Sequence, residues 1–159
     1  MFPISRFHGL LLSLLVLTSL VGAGCNASVD EDDGYLRQSA AGWVESLREG
    51  RFDDACAALL NSPAERYATR IKELAQVPQD ITVTCPMAFE LAAAEWSKVL
   101  EGVQAEAAER VEIDGLSAVV VLPGLSERMR FASEPGTWKL AEIPEVERVL
   151  RLRLERGGR

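Results

Sequence analysis

The hydrophobic periodicity of this chain changes once, near Gly102, and that change limits its architecture more than any other feature. Before it, apolar residues recur at helical spacing; after it, they alternate. Leu36, Ala40, Trp43, Val44 and Leu47 fall on one helical face, and Gly50 is placed to end that helix. Asp53 can cap a short second helix from about Asp54 to Leu60, with Phe52 in front of it as a hydrophobic staple. Ser62-Pro63-Ala64-Glu65 reads as a capping box with Pro at the first helical position, and predicts a third helix to about Ala75, ended before Pro78. Ile81, Val83 and Cys85 alternate over a short extended stretch. Pro86 then opens a fourth helix, with Phe89, Ala93, Trp96 and Leu100 along one face. From Val103 to Ile113 the pattern has a period of two, and Asp114-Gly115 is a type I′ hairpin signal. Leu116 to Leu122 reads as a buried strand. Pro123-Gly124 turns the chain, Met129 and Phe131 alternate with Arg128 and Arg130, and Glu134-Pro135-Gly136 turns it again into Thr137 to Ile143. Helices followed by a four-stranded antiparallel meander predict an α+β fold with the helices packed on the sheet. Pro144 to Arg159 fits either period. Val146, Val149, Leu150 and Leu154 suit a helix, which is preferred, while Leu150, Leu152 and Leu154 alternating with Arg151 and Arg153 suit a strand.

The N-terminus has its own logic. Residues 1–9 carry Arg6 and His8 and no acid, and Leu10 to Val21 form an apolar run broken only by Ser13, Thr18 and Ser19. That run is short for a membrane span and has the length of a signal-peptide core. Gly22-Ala23-Gly24-Cys25 resembles the lipobox of bacterial lipoproteins, with Gly22 standing where the lipobox has Leu. The resemblance implies a signal peptide at 1–24, lipidation of Cys25 by palmitate-like acyl chains, and a cell-membrane or envelope location. The alternative is cleavage near Ala23 or Ala27 and a soluble secreted protein. Asn26 to Gly34 is acidic, with Val29 its only large apolar residue, and so reads as a tether. This divides the chain into 1–24, a lipidated Cys and tether at 25–34, and one domain at 35–159. Each buried acyl CH₂ contributes about 0.8 kcal/mol, so two or three chains hold a protein on a bilayer.

Charge and cysteine chemistry narrow the function. Across 159 residues, 17 Lys and Arg face 24 Asp and Glu, for a net charge of −7. Loss of residues 1–24 removes Arg6 alone of the charged side chains and leaves −8. Nucleic acid is excluded as a partner, because phosphate binding needs a basic footprint. Anionic headgroups should repel the acidic segment. His8 is the only histidine, so the processed chain has no His base, no Ser-His-Asp triad and no His metal ligand. Asp30, Glu31, Asp32 and Asp33 lack EF-hand spacing, and neither a metal nor a cofactor is expected. With Cys25 acylated, Cys56 and Cys85 remain as one pair, expected as a disulfide in an oxidising compartment. The closed loop of roughly 30 residues gives a chain-entropy contribution of ~3–4 kcal/mol. Neither cysteine lies in a CxxC and no His can activate a thiolate, so redox catalysis is not expected.

Trp43-Val44-Glu45-Ser46-Leu47, followed by Glu49-Gly50-Arg51-Phe52-Asp53-Asp54-Ala55-Cys56, resembles the opening of small exported proteins of the nuclear-transport-factor-two-like (SnoaL-like) superfamily. Gly136-Thr137-Trp138-Lys139-Leu140 resembles that fold's closing strands, so the similarity spans about residues 35–143. It implies a cone, in which a curved antiparallel sheet wraps on helices around a cavity. Members include enzymes and binders, so the fold does not choose a function. Enzymes of this kind commonly use an Asp or His base and a Tyr in the cone. Here Tyr35 and Tyr67 are the only tyrosines, and Glu109 and Glu127, which share parity with apolar residues, are the only candidates for a base. No catalytic residue is expected. Trp43, Tyr67, Trp96, Met129, Phe131 and Trp138 can line an apolar pocket; the alternative is that they simply form the core a domain of this size needs. Arg148, Arg151, Arg153, Arg156 and Arg159 with interspersed Glu read as a solvated face, or else as a surface for an anionic membrane or acidic partner. The expected protein is a non-enzymatic envelope lipoprotein that binds a small apolar ligand or an envelope protein. The alternative is a SnoaL-like lyase or isomerase acting in the cone, and the fold type adds a homodimer through the sheet as an option.

Overall fold

The computed structural model describes residues 26–157, so the expected signal peptide and the lipidation of Cys25 lie outside the described residues. Helix α1 (Asn26–Arg48) is followed by α2 (Phe52–Ala57), α3 (Asn61–Leu74), α4 (Cys85–Leu91) and α5 (Ala93–Val99). The strands β1 (Arg110–Asp114), β2 (Ser117–Val121), β3 (Met129–Glu134) and β4 (Thr137–Leu140) come next, and α6 (Val146–Gly157) closes the chain. The fold is α+β, with an open antiparallel sheet in the order β1-β2-β3-β4. The ambiguous C-terminal segment is a helix, seated by buried Val149 and Leu150.

The sheet register gives each face its composition. Ala118 pairs with Phe131, Val120 with Met129, and Phe131 with Leu140. These residues and Trp138 are buried against the helices. The opposite face carries Val119 opposite Arg130 and Ala132 opposite Lys139, all partly or fully exposed. The free edge of β4 is covered by the α2–α3 connection. The Leu60 N–H donates to the Leu140 carbonyl (2.9 Å) and the Leu140 N–H to the Ala58 carbonyl (2.8 Å).

Several local expectations are corrected. Asp114 and Ser117 close the first hairpin, so its loop is Gly115-Leu116. Gly115, at the first loop position, has φ +59° while Leu116 after it does not have positive φ, which makes a type II′ turn rather than the type I′ turn expected one residue earlier. The strand expected from Val103 begins only at Arg110. Val103 and Ala105 enter the core from a turn-rich segment instead, as suits alanines with little strand preference. That segment is pinned where two turns meet. The Gln104 N–H donates to the Pro123 carbonyl (2.9 Å), and a Cβ at Gly124 would lie 2.7 Å from the Gly102 carbonyl oxygen. The Ser62 capping box does not form, because the helix starts two residues earlier, at Asn61, and Ser62 Oγ instead accepts from Arg66. Ile81 to Cys85 forms no strand, and the fourth helix breaks at Ala92 into α4 and α5.

The acidic stretch 26–34, expected to be unfolded, is helical as the start of α1. Asp33 makes an i,i+4 ion pair with Arg37 at 2.5 Å, and Asp32 accepts a hydrogen bond from Trp138 Nε1 at 3.1 Å. The domain therefore holds this segment through polar contacts, where its composition supplies no apolar face.

Candidate functional site

Five of the six residues expected to line a pocket, Trp43, Tyr67, Trp96, Met129 and Phe131, are buried in the interior. Phe89 of α4 sits at the centre of an aromatic cluster. Its ring centroid lies 4.7 Å from Tyr67, 5.6 Å from Trp96, 6.4 Å from Phe52 and 6.5 Å from Trp43. Trp43 and Trp96 meet edge-on at 5.7 Å, a geometry favoured by the ring quadrupoles. Trp96 Nε1 donates to the Tyr67 hydroxyl at 2.7 Å. Burial pushes the Tyr67 pKa up, and the opposing effect of that hydrogen bond is smaller, so the phenol stays neutral at physiological pH. Met129 and Phe131 cover the same interior from the inner face of the sheet. The disulfide Cys56–Cys85 forms as expected and joins the end of α2 to the start of α4 beside this cluster, with Cα atoms 6.0 Å apart. The sixth residue, Trp138, does border a depression. It lies in a surface groove of about 330 Å³ with Glu31, Asp32, Tyr35, Glu134 and Thr137.

A larger groove, of about 600 Å³, opens at the far end of α1. Three segments distant in sequence build it: the last turn of α1, the start of α2, and the end of α5. Leu47 and Leu100 form a buried floor and Phe52 a half-buried wall. Arg48 is held in place by Glu45 at 2.6 Å, by the Leu100 carbonyl at 3.1 Å and by the Val103 carbonyl. Lys98 is exposed on the rim beside Ser97 and makes no ion pair among the described residues. No motif in the sequence marks this groove. Its one local signal was the pair of turn glycines, Gly50 and Gly102, both with positive φ, which end the helices that flank it.

Glu109 and Glu127 are both exposed and lie in loops before β1 and β3. Glu127 has a structural task, since its Oε2 accepts from the Glu145 N–H at 2.8 Å. The acids that are buried are Glu95 and Glu145, each 1% exposed. Glu145 Oε1 accepts from the Ser126 N–H (2.5 Å), the Ser126 hydroxyl (2.7 Å) and the Glu127 N–H (2.8 Å). Burial raises its pKa, but these hydrogen bonds together with Arg148 outweigh it, and the carboxyl titrates below its ordinary value. Glu95 has no hydrogen-bond donor among the described residues, and is held by Arg156 at 3.1 Å and Arg153 at 3.5 Å. Arg148, Arg153 and Arg156 of the C-terminal tract are thus engaged with buried carboxylates, which corrects the reading of that tract as a wholly solvated face.

Comparison with protein-family models, with curated proteins and with solved structures finds no match for this chain. Among the described residues, no group of three or more His, Cys, Asp or Glu side chains could hold a metal ion, and no helix is long and apolar enough to cross a membrane.

Proposed function

We propose that this protein is an exported envelope lipoprotein, anchored through Cys25, whose domain is non-catalytic and binds a protein partner in the groove between α1, α2 and α5. The observation that carries this reading is the contrast between a filled interior and an open groove. A carrier of small apolar molecules needs an enclosed cavity. Here the aromatic residues that could have walled one pack on each other, and the groove at the end of α1 opens to solvent. An apolar floor bordered by Lys98 suits an amphipathic segment with an acidic flank. The lyase or isomerase alternative loses support, since Glu109 and Glu127 face solvent and Tyr67 is enclosed in the core. The helix-then-meander order supports kinship with the SnoaL-like superfamily, and a cone-shaped curvature of the sheet belongs to the same proposal.

The test is site-specific photocrosslinking in intact envelopes. A benzophenone probe replacing Ser97 should give one discrete protein adduct, and Lys98→Glu should abolish it, while a probe replacing Val119 on the outer sheet face gives none. Equal crosslinking from the two sites would overturn the groove as the binding surface. A small bound molecule that survives native mass spectrometry and is unaffected by Lys98→Glu would overturn the protein-partner reading in favour of a carrier.

A further inference from the structure

We infer that α1 is a rigid post that orients the domain on its membrane, with the tips of the two hairpins against the lipid surface and the groove facing away from it. This rests on the proposed lipidation of Cys25. Asn26, the next residue in the chain, is already helical, and the helix continues without interruption into core positions Leu36, Ala40, Trp43 and Val44. The helix thus begins at the residue that follows the proposed anchor. At 1.5 Å of rise per residue, Asp32 lies about 9 Å from Asn26 along the helix.

The start of α1 is clamped to one end of the sheet. Trp138 donates to Asp32, and the hydroxyls of Tyr35 and Thr137 share a hydrogen bond at 2.9 Å. The β3–β4 tip at Pro135-Gly136 lies there, and the antiparallel order puts the β1–β2 tip at the same end. That second tip presents Leu116, 74% exposed and the most exposed large apolar side chain among the described residues. The Ser133 N–H donates to the Leu116 carbonyl at 2.9 Å, which ties the β1–β2 tip to the end of β3. Leu116 and the 43%-exposed Tyr35 are thus apolar groups on the side of the domain where the acyl chains attach. An aliphatic tip with an aromatic hydroxyl beside it suits the interfacial region of a bilayer. Asp32, Asp114 and Glu134 surround these groups, so the fitting surface is rich in zwitterionic lipid, and anionic lipid should push it away. At the other end of the helix, about 33 Å along its axis, lie Leu47 and Arg48 of the groove. The post accordingly turns the binding groove toward the aqueous side, within reach of a partner.

The experiment uses the full lipidated chain, purified from membranes and reconstituted in phosphatidylcholine vesicles. An environment-sensitive fluorophore is placed on Leu116→Cys or, in a second sample, on Ser97→Cys; both sites are exposed and spare the core. The probe at 116 should shift to the blue and be quenched several-fold more by lipid-embedded quenchers than the probe at 97. A ten-residue Gly-Ser insertion between Cys25 and Asn26 should reduce the response at 116 to that at 97. Adding anionic lipid should weaken it. Equal responses at 116 and 97, or a response at 116 unchanged by the insertion, on a chain whose mass shows an acylated Cys25, would overturn the orientation alone. A mass without acyl chains would overturn both the orientation and the lipoprotein reading.

Discussion

The helical layer and the meander hold their halves of the molecule in different ways. The helices depend on a few large side chains, with Phe52, Tyr67, Trp43 and Trp96 grouped around Phe89, and on one covalent link between α2 and α4. The sheet spreads its stability over continuous backbone pairing and medium-sized residues such as Ala118, Val120, Met129 and Leu140. A cluster with one central ring is vulnerable at that ring, whereas a ladder shares a loss among its neighbours. Helix α6 joins the two layers. Glu145, just before it, grips the loop ahead of β3, while Arg153 and Arg156 within it grip Glu95 of α5.

The largest effect that could break this comparison lies at its centre. Phe89→Ala should destabilise the protein by about 3–5 kcal/mol, against about 2–3 kcal/mol for Met129→Ala on the sheet, as measured by urea denaturation. A reversed order would show that the sheet, not the aromatic cluster, dominates. Next comes the disulfide. The paired change Cys56→Ser and Cys85→Ser should cost about 3 kcal/mol, and reductant should destabilise the parent protein while leaving the variant unchanged. Glu145→Gln should cost about 2 kcal/mol at neutral pH, because an ionised acceptor of three hydrogen bonds becomes a neutral amide. Its pH dependence has a definite sign. The folded pKa lies below the ordinary 4.5, so the Glu145 contribution is complete above that pH and is lost as pH falls through the folded value. Stability curves of parent and variant should therefore converge in acid; parallel curves would contradict the role given to this carboxylate. The smallest effect is expected on the outer sheet face, where Val119→Thr should change stability by no more than about 0.5 kcal/mol in thermal melts. A larger loss there would reveal that this face is covered, as a dimer through the sheet would require.

Much of this fold was legible in local pattern. Leu36 to Leu47 announced a helix, Met129 and Phe131 a strand, and the cysteine count pointed to the Cys56–Cys85 pair. Misreadings arose where one pattern suits two structures. Alternation from Val103 to Ala107 placed Val103 and Ala105 inward without a strand, and the hairpin signal at Asp114-Gly115 was displaced by one residue because Gly115 takes the first loop position. The acidic start of α1 had no apolar face to betray it and is held by Arg37 and Trp138, the latter more than 100 residues away in the chain.

The site was far less legible than the fold. Glu95 and Glu145 look like surface acids in the sequence, since nothing local shows that Arg153 and Arg156, or Ser126 and Glu127, will reach them. Periodicity is a property of neighbours along the chain, so the sequence by itself determined which segments become helix or strand and which cysteines are left to pair. Whether six aromatic and apolar residues wall a cavity or fill it depends on how closely the helices approach the sheet. A groove assembled from Leu47, Phe52 and Lys98 exists only once α1, α2 and α5 have met. Those outcomes belong to the tertiary structure, because they are set by distances between layers that no local spacing encodes.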